Sequence, residues 1–366
     1  MAAPTRNDVA RLAGTSPAVV SYVMNNGPRP VSDAARGRVL RAIEELGYRP
    51  NVTARALKTR RTQAIGLIVP DNSNPFFARL ASEFEDLAFE RGHVVMLGNS
   101  ANSRDRERRH LESFIDRQVD GILMSVVDDA TSLDVLDQAA GLRVVCVDRA
   151  PLDAWYPVIS SDHRAGARLG VEHLLAHGHG APAIIAGPPG ITVAETRLAG
   201  ALDALEALDG LDALDAQADA RPPGQQDPDA VEVERAPFTP EGGLEAFNRL
   251  LARRGGRPPR AVFTSSDMQA TGVLFGAAQA GVVIPDQMAL VSFDGVEDLG
   301  YTVPPLTTVS QPIAAIARRA LDALLGGDPP ARAALPCELV IRESCGCQTL
   351  GGQRAGQAPT AEPSPT

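Results

Sequence analysis

TRNDVARLAGTSPAVVSYVMN, residues 5–25, is the stretch that decides how this chain is read. Thr5 precedes NDVARLA with Asp8 three residues on, the pattern of a capping box at a helix start. Ser16-Pro17 opens AVVSYVMN, with the serine as cap and the proline at the first helical position. Only Gly14-Thr15-Ser16 lies between the two helices. A short glycine-bearing turn of that kind sets two helices at a steep angle, as in a helix-turn-helix. Ser32 opens a third helix, DAARGRVLRAIEELG, which stops at Gly47.

Charge agrees with this reading. Residues 1–60 hold ten Arg or Lys against four Asp or Glu, a net of +6. The whole chain has 35 basic and 45 acidic residues, so residues 61–366 hold 25 against 41, a net of −16. A basic module attached to an acidic body suits a phosphate backbone gripped at one end. In a helix from Pro17 to Asn25, Val20, Val23 and Met24 share an apolar face. Pro17, Ala18, Ser21, Tyr22 and Asn25 fall on the other side. The second helix of such a unit enters the major groove with its N-terminal residues near base edges. Thr5, Ser16, Ser21, Asn25 and Ser32 suit phosphate contacts. Residues 51–60 (NVTARALKTR), with Asn51 as cap, form a helical pattern too short to stand alone, the mark of a hinge that orders on binding.

From residue 64 short apolar runs alternate with amphipathic segments of roughly 10–17 residues, beginning with AIGLIVP (64–70) and PFFARLASEFEDLAFER (75–91). That alternation implies parallel sheets covered on both faces. Periodicity leaves open one (β/α)8 barrel or two doubly wound lobes. Residues 209–237, rich in Asp, Ala, Pro and Gln, read as a surface loop. The Gly- and Pro-rich residues 346–366 read as a disordered tail. No apolar run is long enough to span a bilayer and MAAPTRNDVA has no apolar h-region, so a cytoplasmic protein is expected.

No cofactor or metal is expected. Cys345-Gly-Cys347 lacks a second pair, and His173 and His177, four apart with His179 behind, lack the intervening glutamate of HExxH. Gly178-His179-Gly180 with Ala183 follows a helix and precedes a strand, the reverse of a dinucleotide-binding turn. No G-x-S-x-G or Walker motif and no coherent acid/base pair is present, so no enzyme is expected.

NDVARLAGTSPAVVSYVMN and RVLRAIEELGYRPNVTARALKTRRTQAIGLIVPDNSNPFF resemble the bacterial lactose/galactose-repressor family of transcription regulators. DGILMS, VVCVDR, EHLLAHGHG, TRLAG, SSDMQATG, VSFDG, PPLTTVSQP and LVIRESC follow in the family's order. The resemblance spans roughly residues 5–345. It implies a headpiece at 1–50, a hinge helix and linker at 51–62, and a two-lobed periplasmic-binding-protein-type body at 63–345. Lobe 1 would take about 63–160 and 292–324, and lobe 2 about 161–291 and 325–345. It further implies a homodimer on a palindromic double-stranded DNA operator, and a small sugar-like effector between the lobes. Base reading falls to Pro17, Ala18 and Tyr22. In the hinge, Asn51, Ala54, Leu57 and Lys58 face DNA, and Leu57 inserts into the minor groove. For the effector, Phe76, Phe77, Arg197 and Asp294 match best. Asp148 and Asp267 match less closely, and Phe238 stands where relatives place a stacking aromatic. Ser266 and His163 replace common asparagines. All the carboxylates sit at the ends of expected strands, the rim of an α/β cleft. The rival readings are a solute-binding protein for sugar uptake, against which the basic headpiece weighs, and an enzyme with a family-like body.

Overall fold

The computed structural model describes residues 4–25, 29–49, 61–130, 133–139, 141–151, 155–212, 231–327 and 330–347. It divides into two compact units, residues 1–63 and 64–366.

The first unit holds three helices, α1 (Arg6–Leu12), α2 (Pro17–Asn25) and α3 (Asp33–Leu46). The cap expected at the start of each of these three helices is present. The Asp8 backbone N–H donates to Thr5 Oγ1, and the Asp8 carboxylate accepts from the Thr5 backbone N–H at 2.9 Å. Ser16 Oγ accepts from Val19 and Ser32 Oγ from Ala35. Gly14 takes φ +60°, a left-handed turn that a side chain would strain, and the chain reverses there into α2. Val9, Ala10, Ala13, Val20, Val23, Val39 and Ala42 close a small core, with Met24 partly buried beside it. Arg38 Nε donates to the Ala13 carbonyl at 3.1 Å and staples α3 to the turn.

The second unit resolves the barrel-or-lobes alternative in favour of two sheets of six strands. In the first, β1 (Ala64–Val69), β2 (Val94–Asn99), β3 (Gly121–Met124), β4 (Arg143–Val147), β5 (Val158–Ser161) and β11 (Arg332–Leu335) run parallel in the order 11-5-4-3-1-2. In the second, β6 (Ala183–Ala186), β7 (Val233–Arg235), β8 (Ala261–Thr264), β9 (Ala289–Asp294), β10 (Thr307–Ser310) and β12 (Glu338–Val340) take the order 12-10-9-8-6-7, with only β12 antiparallel.

Both sheets are covered on both faces, which is why their strands read as unbroken apolar runs. On β1, Ile65, Leu67 and Val69 pack on α4 (Pro75–Glu90) and α10 (Ile313–Leu324). Ile68, on the opposite face, packs towards α5 (Arg104–Asp116). In the second sheet, Ile184, Phe263, Val291 and Phe293 face α6 (His163–Ala176) and α7 (Thr192–Asp212). Ile185, Val262 and Leu290 face α8 (Pro240–Arg253) and α9 (Asp267–Gln279).

The lobe boundaries differ from those expected. Residues 292–324 do not all belong to the first lobe, because β9 and β10 pair in the second sheet and only α10 returns to the first. β11 also belongs to the first sheet, and β12 goes back to the second. The chain therefore crosses between lobes near residues 161, 311 and 336. The expected loop at 209–237 is shorter, since α7 continues through Asp212 and Val233–Arg235 form an edge strand. Residues 213–230 and 348–366 lie outside the described residues, as do 50–60 with Asn51, Ala54, Leu57 and Lys58.

Candidate functional site

The headpiece presents α2 as the amphipathic reading requires. Val20 and Val23 are buried, Pro17 and Ala18 are exposed, and Ser21 and Tyr22 are half-buried on the outward side. Ser16 and Ser32 use an oxygen lone pair as caps, which leaves each hydroxyl hydrogen for a phosphate oxygen. Thr5 differs. Both its backbone N–H and its hydroxyl point at Asp8 Oδ2, at 2.9 and 2.7 Å, so its donors serve the helix start instead of a phosphate. Arg6, Arg11, Arg29, Arg41 and Arg49 are exposed on this small unit.

The body's cleft follows from topology. Within each sheet, strand order reverses around its first strand, β1 in one lobe and β6 in the other. Open α/β sheets bind ligands outside the carboxyl ends of strands at such a switch point. A cleft of about 640 Å³ opens there. Asp71 and Asn74 line it after β1, Asp128 and Asp129 after β3, Pro188–Ile191 after β6, and Phe238 after β7. An inner pocket of about 10 Å³, the room of roughly one water, adjoins it. Asn74, Phe77, Arg149 and Phe238 line both, so they form the partition between them.

Behind that partition the carboxylates and arginines meet. Arg197 Nη1 donates to Asp294 Oδ1 at 3.0 Å and to the Ser265 carbonyl at 2.6 Å. Its Nε donates to His163 Nδ1 at 3.2 Å, and its guanidinium lies 4.0 Å from the centre of the Phe293 ring. Because Arg197 Nε can only donate, Nδ1 must accept, and the neutral imidazole carries its proton on Nε2. That atom lies 3.3 Å from Asp148 Oδ1. Burial and the neighbouring Arg197 lower His163, which keeps it neutral. Burial alone would raise Asp148, but His163, Arg197 and Arg149 together hold it below the usual carboxylate range. Asp148 and Asp294 adopt φ of +59° and +131°, conformations that non-glycine residues rarely take, at the ends of β4 and β9. Strain of that kind collects where a side chain must be aimed.

Sequence reasoning missed Arg149 as a site residue. It is buried, its Cζ lies 5.4 Å from the Phe77 ring and 5.5 Å from the Phe238 ring, and its Nε has no hydrogen-bond partner. The signal was present in VVCVDR, where the arginine follows the aspartate that was singled out. Gln311 was also missed: it donates to Asp294 Oδ1 at 2.9 Å and accepts from Ser161 Oγ at 2.7 Å. Gly187 makes room for Phe238, because a Cβ there would lie 2.3 Å from the ring's Cζ.

Phe77, Phe238, Asp148, Arg197 and Asp294 are thus brought together. Phe76 reaches only the inner pocket, edge-on to Phe77 at 5.0 Å. Asp267 lines neither cavity. Its Oδ1 accepts from Ser292 Oγ and from Thr308 Oγ1 at 2.7 Å, and its Oδ2 accepts from the Val296 N–H at 2.7 Å. It is scaffold, fully engaged inside the second lobe.

Burial and nearby Asp294 push Asp267 up to about 7. An unfolded aspartate titrates near about 3.9, so the folded protein holds this proton more tightly. The resulting stabilisation is complete below about pH 4 and is lost as pH rises through about 7. Asp267→Asn should therefore gain stability relative to the parent between pH 5 and 7.5 in urea titrations. An identical difference at both pH values would exclude the effect.

A helix-turn-helix headpiece followed by two α/β lobes around a polar cleft defines a ligand-responsive DNA-binding regulator. Residues 5–51 match the model of bacterial regulatory proteins of the lacI family, and residues 171–345 match a periplasmic binding protein-like domain. The ribose operon repressor of Escherichia coli (strain K12) is 34% identical over 322 residues, covering 88% of this chain and 92% of that protein. Among solved structures, a transcriptional regulator CelR–cellobiose complex has a TM-score of 0.64 at 30% identity, covering 93% of this chain and 99% of that one. The lac repressor dimer bound to operator and an anti-inducer has a TM-score of 0.79 at 24% identity, covering 94% and 99%, and shows the likeness of fold. The chain belongs to the lacI family of bacterial regulatory proteins. It is a DNA-binding transcription regulator with an effector-binding body. No helix among the described residues is long and apolar enough to cross a membrane.

Proposed function

We propose that this chain is a cytoplasmic repressor that binds a palindromic operator as a homodimer and is controlled by a small polyhydroxylated effector of sugar size. The observation that carries the reading is the buried Arg149, set between Phe77 and Phe238 at the wall of the cleft, whose Nε faces Asp148 at 3.8 Å and has no hydrogen-bond partner. Aromatic faces with a few fixed charges suit a ring bearing hydroxyls. The ribose and cellobiose in the relatives' names point to the same ligand class. Phe77, Arg149, Phe238, Asp148, Arg197 and Asp294 bind it. Phe76 supports Phe77 from behind. Asp148, Asp294 and His163 are engaged with the two arginines, so no group is left poised as a nucleophile or general base, and no reaction is assigned.

Pro17, Ala18 and Tyr22 read bases. Ser16, Ser21, Asn25 and Ser32 hold phosphates. In the hinge, Asn51, Ala54, Leu57 and Lys58 contact the minor groove. Tyr22 lacks the bidentate donor pair with which an arginine selects guanine, so a guanine read through that position is not required of the operator. An effector that binds the two lobe arrangements with different affinity shifts their populations, and with them the operator affinity.

The test is a gel shift on the region upstream of the protein's own gene, with a panel of pentoses, hexoses, disaccharides and nucleosides. A specific shift modulated by one of them supports the reading. A strictly monomeric protein with no preferred fragment at low salt would refute it. In the same assay Leu57→Ala should weaken operator binding by about 10-fold or more, because an apolar wedge between base steps supports the bent complex. Effector affinity should be unchanged, and full operator affinity in the variant would remove Leu57 from the interface.

A further inference from the structure

Half of the chain's six histidines and two of its four cysteines meet at one corner of the second lobe. His173 and His177 are four residues apart at the end of α6 and so project from one face. Their ring centres are 4.6 Å apart. The segment after β12 brings Cys347 to them, with its Sγ 3.4 Å from His173 Nε2. One ligand atom from each of His173, His177 and Cys347 lies within 4.8 Å of the others. Cys345 Sγ is 2.9 Å from Cys347 Sγ, and His179 Nε2 lies 3.0 Å from the Cys345 carbonyl oxygen, holding the turn in place.

We propose that His173, His177 and Cys347, which already converge, form a site for a thiophilic divalent cation of the zinc type, and that neighbouring Cys345 swings in as the fourth ligand. Two imidazoles and two thiolates are the donor set that favours tetrahedral zinc over harder cations. Metal–nitrogen and metal–sulfur bonds of about 2.05 and 2.3 Å at a tetrahedral angle put N and S about 3.5 Å apart. The 3.4 Å between Cys347 Sγ and His173 Nε2 already has that edge length, whereas the 2.9 Å between the two sulfurs must open to about 3.8 Å, so metal binding rotates Cys345 away from Cys347. Binding converts two thiols to thiolates, and their protons pass to solvent. The bound ion clips the segment that follows β12 onto the end of α6. His163, in the effector site, opens the same helix ten residues before His173, roughly 15 Å away along its axis. The two sites are separate.

The test uses the full chain without a polyhistidine tag, stripped with chelator under reducing conditions and titrated with cobalt(II), then zinc. The expected result is one ion per chain, a thiolate-to-cobalt charge-transfer band, intense visible bands of tetrahedral cobalt, and their loss as zinc displaces it. His177→Gln and Cys347→Ser alter exposed and half-buried positions, so their fold should survive, as circular dichroism will check. Each should weaken binding by more than roughly 100-fold, since even outer-shell partners cost about 10–100-fold. Cys345→Ser should remove about half of the charge-transfer intensity, and Cys337→Ser should bind like the parent. Binding below one ion per chain, a cobalt complex with no thiolate band, or Cys347→Ser binding as tightly as the parent would each overturn the site. So would a fully reduced chain that forms a Cys345–Cys347 disulfide on exposure to air in the presence of zinc.

Discussion

Arg197→Met is expected to lower effector affinity by more than about 100-fold and to destabilise the body by about 3 kcal/mol. Arg197 is 4% exposed, and it joins Asp294, the Ser265 carbonyl and His163 while lying within 4.0 Å of Asp148. Methionine keeps much of the stem but removes the charge. Asp148 and Asp294 then stay buried without that charge, with Arg149 left beside Asp148. Leaving a buried charge without its partner costs more than the pair contributed. Asp294, already raised chiefly by burial, would take up a proton. Adding Asp294→Asn to Arg197→Met should restore most of the lost stability by removing the stranded charge, and should not restore effector binding. That split separates a ligand contact from a folding defect. Calorimetric titration that found the single variant binding within threefold of the parent would exclude Arg197 from the effector site.

The second large effect concerns salt. Operator affinity should fall by roughly 10³ between 50 and 200 mM monovalent salt, because neutralising about six phosphates gives a slope near −5 in log–log form. The net of +6 over residues 1–60 and the exposed Arg6, Arg11, Arg29, Arg41 and Arg49 supply that neutralisation. The −16 over the remaining residues supplies none. Binding of an uncharged effector releases no counterions and should change less than threefold over the same range. Fluorescence anisotropy on a labelled operator measures the slope. A value shallower than about −2 would mean that the headpiece charge does not grip the backbone.

Much of the architecture was legible because local rules and tertiary packing agree. Thr5, Ser16-Pro17 and Ser32 mark helix starts through hydrogen bonds that involve only the next few residues, so the headpiece could be read without its neighbours. The buried strands announced themselves as apolar runs. The strands that escaped notice are β7, β10 and β11. Val233–Arg235 spans three residues at a sheet edge, Thr307–Ser310 is rich in hydroxyls, and Arg332–Leu335 is half-exposed. None carries the apolar signature of a central strand.

The site divides in the same way. Strand-end position singled out Asp148, Asp294 and Asp267 alike, yet only the first two line the inner pocket. Asp267 turns inward because Ser292, Thr308 and the Val296 N–H supply three donors from β9, β10 and the turn after β9, a convergence no local pattern reveals. The histidine and cysteine cluster is the converse case. His173 with His177 and Cys345 with Cys347 were each incomplete as motifs, and the 167 residues between His177 and Cys345 hide the fact that each supplies what the other lacks.

Gln311 sits where β10 leaves the second lobe for α10, and it holds Ser161, at the end of β5, with one end of its amide and Asp294 with the other. The amide therefore spans two of the three places where the chain changes lobes and touches the carboxylate floor of the pocket as well. Any guest that draws Asp294 forward pulls on the pivot itself through a single side chain. Swapping the aromatic walls can thus retune which molecule is admitted while the lever that transmits its arrival stays the same.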